Sequence, residues 1–330
     1  MKTAAMKSFT KKEWTSADEL IAESAVSEAL TESSTQVDKS NDSSSVSVVF
    51  PKRPQISMGR MAEAHQNTLN ELSVLSQLQH ENIISLLSVV VTPPSILIEY
   101  APMGTMKLMY ETYHQSSQRL SPCVSQITIV QIASGIEFLH KRSIVYRDLK
   151  GDNVLVWRFP TPNNPPLVAT NNEVLIKLSD YGIGQFASIN GLRGFAGTPG
   201  FIAPEIIKYH GKEVYSNKVD IFSLGMVIYE LITLHPPYDK FNQQQANQAI
   251  ESGVRPSLSK KDLNSLILQR ELMIWCWQQD PEMRPTATQV VEVARSQQFC
   301  RLVDGIRIDN DGRVLCVCHR EIPITLRQKN

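Results

Sequence analysis

A chain of 330 residues with 33 basic and 33 acidic side chains has no net charge, so its electrostatics point neither to nucleic acid nor to an anionic membrane surface. Its length suffices for two domains or lobes, and 42% hydrophobic residues can build a large core. The 5 cysteines are scattered and odd in number, which argues for a reducing compartment over a disulfide scaffold. With no apolar run approaching a membrane span and no signal-like N-terminus, the cytoplasm is the expected location.

Along the chain, "MKTAAMKSF" reads as a short strand. From residue 10 to about 60 the sequence turns polar and Ser-rich ("TESSTQVDKSNDSSSVSV"), a composition that buries little and predicts a disordered insertion. Order resumes near residue 62, where Leu69, Leu72, Leu75 and Leu78 in "HQNTLNELSVLSQLQH" have amphipathic helical spacing. "ENIISLLSVVV" and "SILIEY", separated by Pro93 and Pro94, read as two strands. Ile129, Ile132, Ile136 and Leu139 mark a second helix, and "NVLVW" and "VLIKLSD" are strands around the turn-rich "PTPNNPP". "VDIFSLGMVIYELITL" is apolar nearly all round, which predicts a buried central helix. Helical patterns continue through "LNSLILQRELMIWCWQQ" and "TATQVVEVARS". From about 298 the pattern alternates again, and "DNDG" predicts a hairpin opening a β-rich region. Cys316, Cys318 and His319 lack further ligands at zinc spacing, so a plain strand is the favoured reading there. The expected organisation is thus a strand-rich part over 1–100, a helical part over 101–297, and a β-rich region from 298 to 330.

One stretch is unusually polar between apolar runs. "SIVYRDLKGDNVLVW" places Asp148, Lys150 and Asn153 in a single loop, and "DYG" (Asp180 to Gly182) and "APE" (Ala203 to Glu205) follow. Asp and Asn are common in surface turns, but two acid-bearing loops that each adjoin a strand can meet at one point. Phosphoryl transfer asks for that set. One carboxylate accepts the proton of the attacking hydroxyl, a second carboxylate and an amide oxygen hold Mg²⁺, and a cation shields the moving phosphate.

In order and spacing these segments resemble the protein-kinase catalytic loop, the metal-binding D-F-G and the A-P-E motif. Tyr146, Tyr181, "AGTPGF", "IASGIEFLH" and "DNVLVW" together look like the leucine-rich-repeat kinases of the Roco family. The resemblance implies an α+β, two-lobed fold with a small strand-rich N-lobe, its first two strands missing, and a helical C-lobe. It implies ATP and Mg²⁺ as cofactors and a protein Ser/Thr hydroxyl as acceptor, the serine/threonine type being marked by Lys150 and Thr198. By the same resemblance Asp148 orients the hydroxyl, Lys150 neutralises the γ-phosphate, and Asn153 and Asp180 bind metal. Lys7 binds phosphate and Glu71 is its helix partner. Ile98 is the gatekeeper, Glu99 to Ala101 form the adenine hinge, and Leu155 is the adenine floor. Leu75, Leu86, Tyr146 and Tyr181 stack as an apolar spine; Asp220 braces the catalytic loop, and Arg284 pairs with Glu205. Thr198 is expected to contact Asp148, while Ser188 and Thr198 both lie in a segment open to phosphorylation. Partners implied are a protein substrate and further domains of the family, a GTPase-type domain before and a propeller after.

Two features cut against a complete site. The first glycine of the chain is Gly59, so no G-x-G-x-x-G precedes the helix of Glu71. The phosphate-binding lysine has two candidate strands: "VSVVFPK" at 46 to 52 offers valine, and "AAMKSF" offers Lys7, the better fit. An N-terminally truncated kinase with weak ATP binding and negligible transfer is therefore expected for these residues alone. A non-catalytic pseudokinase or scaffold is the alternative.

Overall fold

The computed structural model describes residues 4–8, 72–90, 95–163, 173–187, 191–263, 267–296, 306–308 and 314–316. The Ser-rich stretch, Glu71, Ser188 and the "DNDG" turn lie outside these residues.

The strand-rich part is one antiparallel sheet. β1 (Ala4–Ser8) and β2 (Leu86–Val90) flank the central β3 (Ser95–Glu99). The register sets Lys7 opposite Ile96 and Ala5 opposite Ile98, and a bulge interrupts the β2 pairing between Leu86 and Ser88. A helical turn over 72–75 buries Val74 and Leu75. This agrees with the strands and the helix read from β-branched runs and leucine spacing.

The helical part follows. α1 (Met106–Gln115) starts at Thr105, whose hydroxyl accepts from the Leu108 N–H, and buries Met106, Met109, Tyr110 and Tyr113, one helical face. α2 (Pro122–His140) is capped by Ser121 and carries Pro122 in its first turn, where a missing N–H does no harm. Here the sequence reading needs a correction. α2 is 19 residues long and apolar enough by length and composition to cross a membrane, but most of it is buried inside the fold, so its apolarity is that of a core helix. β4 (Ile144–Val145) leads into the polar loop, which closes in a 3₁₀ turn (Gly151–Asn153) and enters β5 (Val154–Arg158). β5 pairs antiparallel with β6 (Leu175–Leu178), and β4 with β7 (Gln185–Phe186).

α3 (Pro204–Lys208) opens at the A-P-E segment, and α4 (Lys218–Thr233) is the expected central helix, buried on every side beyond its first residue. α5 (Gln243–Glu251), α6 (Lys260–Leu263), α7 (Ile267–Cys276) and α8 (Ala287–Arg295) complete this part, α7 against α4 and α8 against α2. Beyond them β8 (Ile306–Ile308) and β9 (Val314–Cys316) pair antiparallel, as the alternating pattern predicts.

Candidate active site

The polar loop between β4 and β5 is shaped from below by α4. Asp220, fully buried, accepts the Tyr146 N–H at 2.8 Å and the Arg147 N–H at 2.7 Å, and its Oδ2 is 2.8 Å from His140 Nε2. Charged acceptors make stronger hydrogen bonds than neutral ones, so a carboxylate is well suited to hold two peptide groups in place. Arg147 adopts a left-handed backbone, φ +67°, and its guanidinium donates to the Ile183 carbonyl at 2.6 Å. The Arg147 carbonyl would lie 3.0 Å from a Cβ at residue 197, where φ is +120°; only glycine suits that point of the following segment.

This folding brings the expected groups together. The Thr198 hydroxyl donates to Asp148 Oδ1 at 2.6 Å, Lys150 Nζ donates to the Thr198 oxygen at 2.7 Å, and Lys150 Nζ lies 3.2 Å from Asp148 Oδ2. Asn153 Nδ2 donates to the Asp148 backbone carbonyl at 2.8 Å and to its Oδ2 at 2.9 Å, which turns the amide oxygen to the other side of the group. Asp180 has φ +58°, and its carboxylate accepts the Gly182 N–H at 3.4 Å. Ser179, one residue earlier, donates its N–H and its hydroxyl to the Asn153 carbonyl at 2.9 Å and 3.0 Å, tying the two acid-bearing loops side by side.

Tyr146 and Tyr181 are both fully buried and meet edge to face with centroids 5.2 Å apart. The Tyr146 hydroxyl donates to the Ser179 carbonyl, and burial pushes its phenol well above the usual range, so it stays a donor. The Tyr181 hydroxyl donates to the Leu178 carbonyl at 3.3 Å. Leu75 is buried and Leu86 partly so. Arg284 forms the expected pair with Glu205, two parallel bonds of 2.8 Å.

The other candidate residues are spread over β1, β3, β5 and the turn after β3. Ile98 and Glu99 end β3, and the Ala101 carbonyl accepts the Gly104 N–H at 3.2 Å in the turn towards α1. Leu155 lies half-buried in β5, bridged to Thr105. The Lys7 backbone sits in β1 beside β3, and Glu71 falls outside the described residues. Three contacts had no reading in the sequence. His140 supports Asp220, Lys177 pairs with Glu99 at 2.5 Å, and Glu230 accepts the Gly151 N–H at 3.1 Å. For Glu230 a signal was present: one acid inside the apolar run "VIYELI".

The family model described as "Protein kinase domain" matches residues 33–294, a span that begins after Lys7. A Caenorhabditis elegans protein named leucine-rich repeat serine/threonine-protein kinase 1 is 38% identical over 249 residues, 75% of this chain and 10% of that protein. The mouse protein of the same name is 37% identical over 231 residues, 69% of this chain and 11% of its own. The probable serine/threonine-protein kinase roco8 of Dictyostelium discoideum is 30% identical over 245 residues, 72% and 12% of the two chains. The chain thus spans roughly a tenth of the length of these relatives. Matched over most of its length by the kinase model, and similar to serine/threonine kinases of the leucine-rich-repeat and Roco type, the chain belongs to the protein kinase domain family.

Proposed function

We propose that this chain transfers the γ-phosphate of ATP to a serine or threonine hydroxyl of a protein, with Mg²⁺ held by Asn153 and Asp180. The observation that carries the reading is the Asp148–Thr198–Lys150 triangle beside Asn153. Asp148 is buried with one oxygen on Thr198 and the other shared by Lys150 and Asn153, so it is oriented to accept a hydrogen bond from an incoming hydroxyl. Lys150 lies next to the carboxylate, where its ammonium would neutralise charge on a transferring phosphoryl group. An amide oxygen and a carboxylate are the hard donors Mg²⁺ prefers, and Asn153 and Asp180 supply them from two loops joined through Ser179. Asn153 and Asp180 would hold the metal, whose charge would offset that of the phosphates. Ile98, Glu99, Ala101 and Leu155 line the approach for adenine, with Lys7 and Glu71 as the phosphate-binding pair. A cytoplasmic setting and further domains on either side fit the same reading.

The test is transfer of labelled γ-phosphate to a Ser/Thr peptide in Mg²⁺. Asp148→Asn should lower it at least ~100-fold, as removal of a general base does. Transfer equal in Asp148→Asn and the unaltered chain, or no transfer at all, would favour a non-catalytic scaffold.

A further inference from the structure

Besides Asp220, α4 carries a second buried acid that touches the catalytic loop. Glu230 is 4% exposed and sits in an otherwise apolar turn of the helix. Burying a carboxylate there is unfavourable, and an apolar side chain of similar size would be easier to accommodate. Its Oε2 accepts the Gly151 N–H at 3.1 Å. A Cβ on Gly151 would come within 3.0 Å of that oxygen and 3.1 Å of the Tyr110 ring, so the peptide lies close against both. The groups facing Glu230 are Tyr110 and Lys107 of α1 and Lys150 and Asp152 of the loop. Lys107 and Asp152 pair at 3.2 Å across the top, half exposed. The Tyr110 hydroxyl is buried with no hydrogen-bond partner among the described residues. Burial raises the Glu230 carboxyl to about 8.

We infer that Glu230 is a positioning residue, which fixes the Lys150–Gly151 peptide and through it the placement of the Lys150 side chain. A peptide unit is planar, with N–H and C=O on opposite sides. The N–H of this unit is held by Glu230, and its C=O, that of Lys150, accepts the Asn153 N–H at 3.0 Å. With both ends held the plane cannot rotate, and Lys150 leaves it in the one direction that reaches Asp148 and Thr198. Asp220 holds the start of the loop and Glu230 its end, so a single helix sets both sides of the catalytic segment. The catalytic half of this inference rests on the kinase reading; the anchoring half does not.

Two readouts on the full chain separate them. Amide exchange by NMR compares Gly151 with Tyr146 and Arg147 in the unaltered chain, Glu230→Gln, Glu230→Met and Glu230→Leu. Glu230→Gln keeps an acceptor and should leave all three slow. The two apolar variants, either of which suffices if the other fails to fold, should speed Gly151 about tenfold or more, as loss of a buried acceptor implies, with Tyr146 and Arg147 unchanged. Gly151 remaining slow, or all three amides speeding together, overturns the anchor. Where transfer is measured, Glu230→Met should lower kcat about tenfold with KM for ATP steady, and should add less than about twofold on a Lys150→Ala background, the non-additivity of groups that act as a unit. Additive losses overturn the link to Lys150. An inactive chain with the expected exchange pattern removes the kinase reading and leaves the anchor standing.

Discussion

At the scale of single residues, two buried tyrosines, Tyr146 and Tyr181, meet edge to face and their hydroxyls are not equivalent. That of Tyr146 bridges to the loop that carries Asp180, whereas that of Tyr181 makes a long bond to Leu178, three residues away. Removing a buried donor leaves its acceptor unsatisfied, a loss of about 1–3 kcal/mol. Tyr146→Phe should therefore lower the thermal midpoint by several degrees and Tyr181→Phe by less, and the reverse order in a melting assay would contradict the assignment. Glu230 adds a pH dependence. Its carboxyl is raised from 4.5 to about 8, so the folded state prefers the protonated form. The stability linked to that proton is fully present below the unfolded value of 4.5 and is lost as pH rises through about 8. Glu230→Gln cannot lose it. The variant should gain stability relative to the unaltered chain between those two pH values, and urea midpoints differing by a constant across that range would refute this. Asp148, Lys150 and Asn153 could be read from sequence because they share one short loop. Glu230 could not be assigned, since its partner Gly151 is 79 positions away and a backbone N–H leaves no mark on sequence.

At the scale of elements, the pattern was readable wherever one face or all faces of a segment are buried. The all-round apolar run became α4, and the β-branched runs became β2, β3, β5 and β6. What apolar patterning did not contain is how closely α4 approaches α7. A Cβ at Gly225 would lie 2.9 Å from the Trp277 Cβ and 3.0 Å from its backbone nitrogen, so Gly225→Ala must push the two helices apart. Overpacking of this kind is destabilising by about 1–3 kcal/mol. The Arg284–Glu205 pair joins the same helices to α3. Arg284 also donates to the carbonyls of Gln278, Lys218 and Gln279, and its side chain has no solvent exposure. Glu205→Ala leaves that guanidinium without its counter-charge, and a loss of about 3–5 kcal/mol in urea unfolding is expected. The double change Glu205→Ala with Arg284→Met should recover part of it, because the uncompensated charge is then gone too.

At the scale of the whole molecule, the question is what fastens a three-stranded sheet to the helical part. Ile83 bridges Leu178 in parallel, with the Ile84 N–H donating to the Leu178 carbonyl and the Leu178 N–H to the Asn82 carbonyl, each at 2.9 Å. Asn82 Nδ2 bonds Gln131 and the Ile176 carbonyl. A further tie is ionic: Glu99, the last residue of β3, meets Lys177 of β6 at 2.5 Å, both side chains 13% exposed. A pair this sheltered is little screened, so removing its lysine should weaken the join at the point where the chain passes from sheet to helices. Lys177→Met should thus loosen the sheet without melting the helical part. In hydrogen exchange the β2 and β3 amides should speed up while those of α2 and α4 hold, because each cooperative unit opens at its own free energy. Adding Glu99→Gln to Lys177→Met should slow the sheet amides again, since a neutral amide tolerates the partly dry site better than a carboxylate that has lost Lys177. Uniform exchange across sheet and helices in Lys177→Met would mean that the two parts open as one unit, and that the ion pair is incidental to how they are joined.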